Sequence, residues 1–237
     1  MSFSPLSRRS CLHLCAALAV AAFGAAAFAD EAPTEPKTLL AERGKLLISD
    51  DLNAAPAKEW RVAKGKWEPV DGAWHGEELP ADMHPAVIRR QLNFQDAIFQ
   101  YSFKLDGAKQ TTLSINDAKE HVCRVLIRPT GFTVQKDDHD HDGPDKAVVF
   151  KNITTPIKDG EWHTMVVEIL GQEMLACLDG DQVGFGAHEL IGTPKANFGL
   201  TINGQSASFK NLRVWEALPN KNWAETKAKL ASAEPAK

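Results

Sequence analysis

Residues 136–146 read KDDHDHDGPDK and crowd five aspartates and two histidines into eleven positions. Asp138, Asp140 and Asp142 before Gly143 repeat the first half of a calcium loop, in which alternating acids fold round the ion at a glycine turn. The twelfth position, where such a loop needs a bidentate Glu, is Val149, which excludes an EF-hand. His139 and His141 are two apart and in an extended segment project to one side, a spacing suited to a shared Zn²⁺ or Cu²⁺. The same residues also read as a hydrophilic hairpin tip joining FTVQK to KAVVF, its acids repelling one another and staying wet, or as a catalytic loop. A divalent ion, Ca²⁺ or Zn²⁺, is the only cofactor this reading suggests.

A second set lies where polar residues interrupt apolar strands. His84 precedes Pro85 in LPADMHPAVIRRQL, with Arg89 and Arg90 close behind. Asn116 and Asp117 end one run in LSINDAKEH, and His121 and Arg124 open the next. Glu168 stands alone in VVEIL. The plain alternatives are surface ion pairs for the arginines and a strand-end hydrogen bond for His121. His121 and Arg124 differ in strand parity, so a regular strand cannot turn both to one face unless His121 sits just outside it. Asp50 and Asp51 form an acidic turn that either caps the chain or, beside Asn211 or Glu216, holds a structural calcium.

Strands and turns must position these groups. GKWEPVDGAWHG gives two short runs around Asp71-Gly72, a tight-turn signal. Ala97 to Leu105 alternates in its second half, HVCRVLIR and GFTVQKD form a pair hinged at Pro129-Thr130-Gly131, and WHTMVVEIL, EMLACL and QVGFG form a meander with turns at Gly171 and Asp179-Gly180. NFGLTI and ASFKNLRVWEA close the series. About a dozen short strands between turns predict a sandwich or barrel. Helix is expected only over Lys37 to Glu42 and in the tail around Trp223 to Leu230. Trp60, Trp67 and Trp74 recur every seven residues, but Gly65, Pro69 and Gly72 between them exclude a heptad helix. They read as core and rim aromatics of successive strands.

The first 29 residues read as an export signal: Arg8 and Arg9, a run of small and apolar residues, then Ala27-Phe28-Ala29 as the cleavage site. Ser7-Arg8-Arg9 admits twin-arginine export as well as the general route. The expected location is periplasmic or secreted, with no membrane association after cleavage. The chain carries 27 basic and 31 acidic side chains, and loss of the two signal arginines makes the remainder more acidic still. That excludes nucleic acid or anionic lipid as a partner held by general charge. Cys123 and Cys177 remain, so no disulfide framework and no CxxC metal pattern exists, and two buried thiols are favoured over a bridge between them. The division is a signal at 1–29, a flexible leader at 30–43, one domain at 44–218 and a helical tail at 219–237.

LLISDDLN followed by EWRVAKGKWEPVDGAWHGEE resembles the opening of concanavalin A-like (LamG-like) jelly-roll domains. EWHTMVVEILGQEMLACLDGDQVGFG and NFGLTINGQSASFKNLRVWEAL are similar to their closing strands. Within that superfamily the chain most resembles the secreted bacterial domain of 3-keto-disaccharide hydrolases, from Leu46 to Leu218. The resemblance implies an all-β sandwich of two antiparallel sheets. One sheet would be concave and carry a groove lined by Arg89, His121, Arg124 and Glu168, with His84 and Asn116 as further sugar contacts.

It also implies carbohydrate as the partner and cleavage of 3-keto-glycosides as the reaction. The ketone acidifies the C2 hydrogen, a base removes it, the C1 glycosidic oxygen leaves and water adds. His121 is the candidate base, Arg124 or a metal the electrophile, and Glu168 the remaining catalytic candidate. The E-x-D-x-x-E of family-16 glycosidases is absent, as is the Gly-Asn-Ser-Gly stretch of the keto-sugar enzymes. A non-catalytic carbohydrate-binding module and a secreted interaction domain without a sugar ligand are the competing classes.

Overall fold

The computed structural model describes Met1 and residues 35–232. The export signal at 1–29 and the start of the leader lie outside the described residues. Among the described residues the strands are β1 (Ala41–Asp50), β2 (Trp60–Lys64), β3 (Lys66–Val70), β4 (Ala73–Glu77), β5 (Ala86–Phe94), β6 (Ala97–Asn116), β7 (His121–Arg128), β8 (Gly131–Lys136), β9 (Val148–Thr154), β10 (Trp162–Leu170), β11 (Glu173–Leu178), β12 (Gln182–Ala187) and β13 (Lys195–Pro219). One helix, α1 (Trp223–Ser232), follows. The helix expected over Lys37 to Glu42 is absent: β1 begins at Ala41 and pairs with the end of β13, which shortens the expected leader.

The architecture rests on two long strands. The first half of β6 pairs with β10 and with the second half of β13, and its second half pairs with β7 and with the first half of β13. One layer therefore runs β12-β11-β10-β6-β13-β4-β3, with β1 also against β13. The other runs β9-β8-β7-β6-β13-β5-β2. The chain changes layer at Gly107 and Gly204, whose φ values are 86° and 104°, with register shifts between Asn203 and Ala207. A Cβ on Gly204 would stand 2.7 Å from Lys109 N, and one on Gly107 would strike the Gln205 side chain. Such bulged, glycine-dependent corners let one strand serve two sheets. The separate short strands read on either side of these glycines are thus single bent strands.

Alternation places Phe99, Tyr101, Phe103 and Leu105 of β6 between the layers, opposite residues such as Val125, Phe132 and Val134. Trp60, Trp67 and Trp74 are all buried, on β2, β3 and β4. Trp60 stands edge-on to Trp74 at 4.8 Å and to Phe198 at 5.5 Å, an arrangement that suits ring quadrupoles. Cys123 and Cys177 are buried free thiols. The turns Asp71-Gly72 and Asp179-Gly180 have both residues at positive φ, which matches the twist of a two-residue hairpin. α1 anchors through Trp223, whose indole N–H donates to Glu173 Oε2 at 2.9 Å.

Candidate functional site

The outward residues of the second layer form a groove of about 220 Å³. Its floor is Gln110, Thr112 and Ser114 of β6 beside Thr201 and Asn203 of β13. Its walls are His84 and Arg89 on one side and His121 and Arg124 on the other. The floor follows from period-two alternation. In QTTLSIN the residues Gln110, Thr112 and Ser114 face out, while Leu113 and Ile115 fill the core. That alternation was the signal available in the sequence for these five floor residues, which the reading of isolated charged groups passed over.

His121 and Arg124 share the groove because β7 is bulged. Ile115 pairs with Cys123 but Asn116 pairs with His121, so Val122 is an extra residue. The bulge reverses parity at His121 and resolves the conflict with His121 inside the strand.

An amide chain orients the imidazole. Asn116 Nδ2 donates to Asn197 Oδ1 at 2.6 Å, which turns Asn116 Oδ1 towards His121. His121 Nδ1 lies 2.5 Å from that oxygen and 3.3 Å from Ser114 Oγ. An acceptor facing Nδ1 assigns the proton there and leaves the lone pair on Nε2, which lies 3.4 Å from Glu120 Oε1. Burial and the nearby guanidiniums of Arg124 and Arg89 outweigh Glu120 and Asp137, and lower the His121 pKa to about 4. The ring is neutral at neutral pH. Asn116 therefore acts behind the groove, on His121.

Arg124 Nε lies 2.5 Å from Asp137 Oδ2 as a charge contact, not an aligned hydrogen bond. Arg89 lies opposite Gly199, where a Cβ would stand 3.0 Å from Arg89 Cγ and 2.9 Å from Ile88 O. The missing side chain at 199 is what gives the arginine room across β13.

Two groups of expected residues lie elsewhere. Glu168 does not line the groove. It sits in β10 in the other layer, fully buried, and accepts from the N–H of Leu39 at 2.8 Å and of Ala41 at 2.7 Å. It fastens the start of β1, and burial raises its pKa despite those donors.

The metal reading of Asp138, His139, Asp140, His141 and Asp142 is corrected as well. The segment is a hairpin end between β8 and β9, but its side chains do not converge. His139 Nε2 lies 2.8 Å from Asp117 Oδ2, and His141 Nε2 lies 2.8 Å from Glu120 Oε2. Asp138 Oδ1 accepts from the N–H of Asp140 and His141, and Asp140 Oδ2 accepts from that of Asp145. Asp142 is exposed. Among the described residues no three His, Cys, Asp or Glu side chains gather to hold a metal ion. The histidines instead latch this hairpin to the β6–β7 turn, next to His121. Asp50 and Asp51 cap and pair: Asp50 accepts from Leu52 N and Trp60 Nε1, and Asp51 meets Arg213 Nη2 at 2.6 Å.

No family model and no curated protein sequence matches the chain. Solved structures do. The carbohydrate-binding module CBM66 from Bacillus subtilis aligns with 67% of this chain and 96% of its own at 16% identity, TM-score 0.55. SCLam, a non-specific endo-β-1,3(4)-glucanase of family GH16, aligns over 78% of this chain and 98% of its own at 15% identity, TM-score 0.54. A Bacillus subtilis protein of unknown function with a galectin-like fold covers 76% of this chain and 100% of its own at 11% identity, TM-score 0.60. At these identities the likeness is one of fold. The fold is the all-β, concanavalin A-like jelly-roll sandwich.

Proposed function

We propose that this protein is an exported, periplasmic or secreted domain that binds carbohydrate in the groove between Arg89 and His121. The observation that carries the reading is the groove floor. Gln110, Thr112, Ser114, Thr201 and Asn203 present hydroxyls and amides side by side on rigid strands, and these match the alternating donors and acceptors of a sugar. The likeness to a carbohydrate-binding module and to a β-glucanase supports the same class of ligand. A glycan array probed with the purified protein tests it. The expected result is retention of a glycan class by the wild type and its loss in Thr112→Val/Thr201→Val. No retained glycan, or retention unchanged by that variant, overturns the reading.

A second reading, cleavage of 3-keto-glycosides, is favoured by the neutral imidazole of His121 beside the Arg124 guanidinium. His121 Nε2 would take the C2 proton, the electron pair would form an enolate facing Arg124, and the C1–O bond would then break with the leaving oxygen taking up a proton. Water adding across the resulting double bond completes hydrolysis. Glucose release from 3-ketotrehalose, abolished in His121→Ala, is the expected result. No release by the wild-type protein excludes this reading and leaves binding intact.

A further inference from the structure

We propose that the groove selects an acidic saccharide, whose anionic group sits between Arg89 and Arg124; this rests on the carbohydrate reading and narrows it to a chemical class. The lining holds two guanidiniums and two imidazoles, but no carboxylate and no Phe, Tyr or Trp ring. The positive charge of the two guanidiniums stands on a chain of net charge −4, so it is local and not a consequence of overall composition. Arg124 is partly answered by Asp137 behind it. Arg89 has no carboxylate partner among the described residues, although it is exposed and Asp51 and Asp82 each hold a cation elsewhere on the surface.

The position of Arg89 is built. Gly199 clears its path across β13, and the side chain lines the same groove as His121 and Arg124.

A neutral sugar in a groove without an aromatic platform exchanges water for hydroxyl hydrogen bonds at little net gain. A carboxylate or sulfate adds charge-assisted bonds, bidentate where the guanidinium plane allows, and is drawn in by the local field. The ligand class that uses every group present is therefore a uronate-containing or sulfated oligosaccharide.

Calorimetric titration of the full chain with four probes tests this: a galacturonate tetramer, a glucuronate-containing hyaluronan oligomer, the methyl ester of the galacturonate tetramer, and a sulfated galactan oligomer. The expected result is that at least one anionic probe binds about tenfold or more tightly than the ester. That margin should shrink in high salt and disappear in Arg89→Gln, with thermal unfolding confirming that this exposed substitution leaves the fold intact. Which anionic probe binds distinguishes carboxylate from sulfate. Equal binding of acid and ester, insensitive to Arg89→Gln, overturns the acidic class while keeping carbohydrate as the ligand. Failure of all four probes overturns the acidic class too, and the glycan array then decides the carbohydrate reading separately.

Discussion

The two outer faces of the sandwich handle charge in opposite ways. On the layer of β10, β6, β13 and β4, a pocket of about 350 Å³ contains Asp71, His75, Lys104, Asp106, Trp162 and Ser208. Most of its polar groups already answer one another. Asp106 accepts from Ser208 Oγ at 2.6 Å and pairs with Lys104 at 3.2 Å, and Lys210 Nζ covers the Trp162 ring at 4.0 Å. On the other layer, the groove turns Arg89 and the hydroxyls of β6 and β13 outward, with no acid in its lining. The first face is electrostatically closed and the second open. A surface that leaves a positioned cation unpaired forgoes an ion pair worth up to about 1 kcal/mol, so the open face is where a ligand completes the set.

The largest effect is expected from Arg124→Met. It leaves the buried Asp137 without its cation, and urea unfolding should show a loss of about 2–4 kcal/mol together with loss of groove binding. Gly199→Ala comes next. The new methyl presses on Ile88 O and Arg89 Cγ, which should cost about 1–2 kcal/mol and weaken ligand binding several-fold by displacing Arg89. Unchanged binding in that variant would show that the placement of Arg89 is incidental.

Titration of His121 sharpens the same face. Its pKa of about 4 lies below the ordinary 6.5, so between those values the unfolded chain binds more protons than the folded one. Its contribution is fully present above pH 6.5 and is lost as pH falls through 4. An NMR titration of the His121 ring should find its midpoint near 4, and a midpoint near 6.5 would contradict the burial of the ring beside Arg124. Trp162→Ala on the closed face should do least: under about 1 kcal/mol in stability from the lost lysine stacking, and no change in groove binding.

Fold class was legible because turn residues and two-residue alternation agree along most of the chain, and the Asp-Gly hairpins and buried tryptophans follow from local rules. The continuity of β6 and β13 was hidden, because NFGLTI and ASFKNLRVWEA, like Ala97 to Leu105 and LSIN, read as separate short runs, whereas Gly204 and Gly107 are corners within one strand. The shared face of His121 and Arg124 depends on one extra residue, Val122, whose bulge no spacing rule announces. Glu168 looked like a solitary functional acid because its partners are backbone N–H groups about 130 residues away. The Asp- and His-rich segment looked like a metal loop because its true partners, Asp117 and Glu120, lie on another turn. Local spacing reveals ligand sets only when the ligands are local.

An NMR titration of ¹⁵N-labelled full-length protein with the galacturonate tetramer and the sulfated galactan tests the open face most directly. The account predicts shifts confined to Val87–Arg89, Gln110–Ser114, His121–Arg124 and Thr201–Asn203, including the guanidinium resonances of Arg89 and Arg124. Shifts centred on the Trp162 indole, or none in either titration, would contradict it.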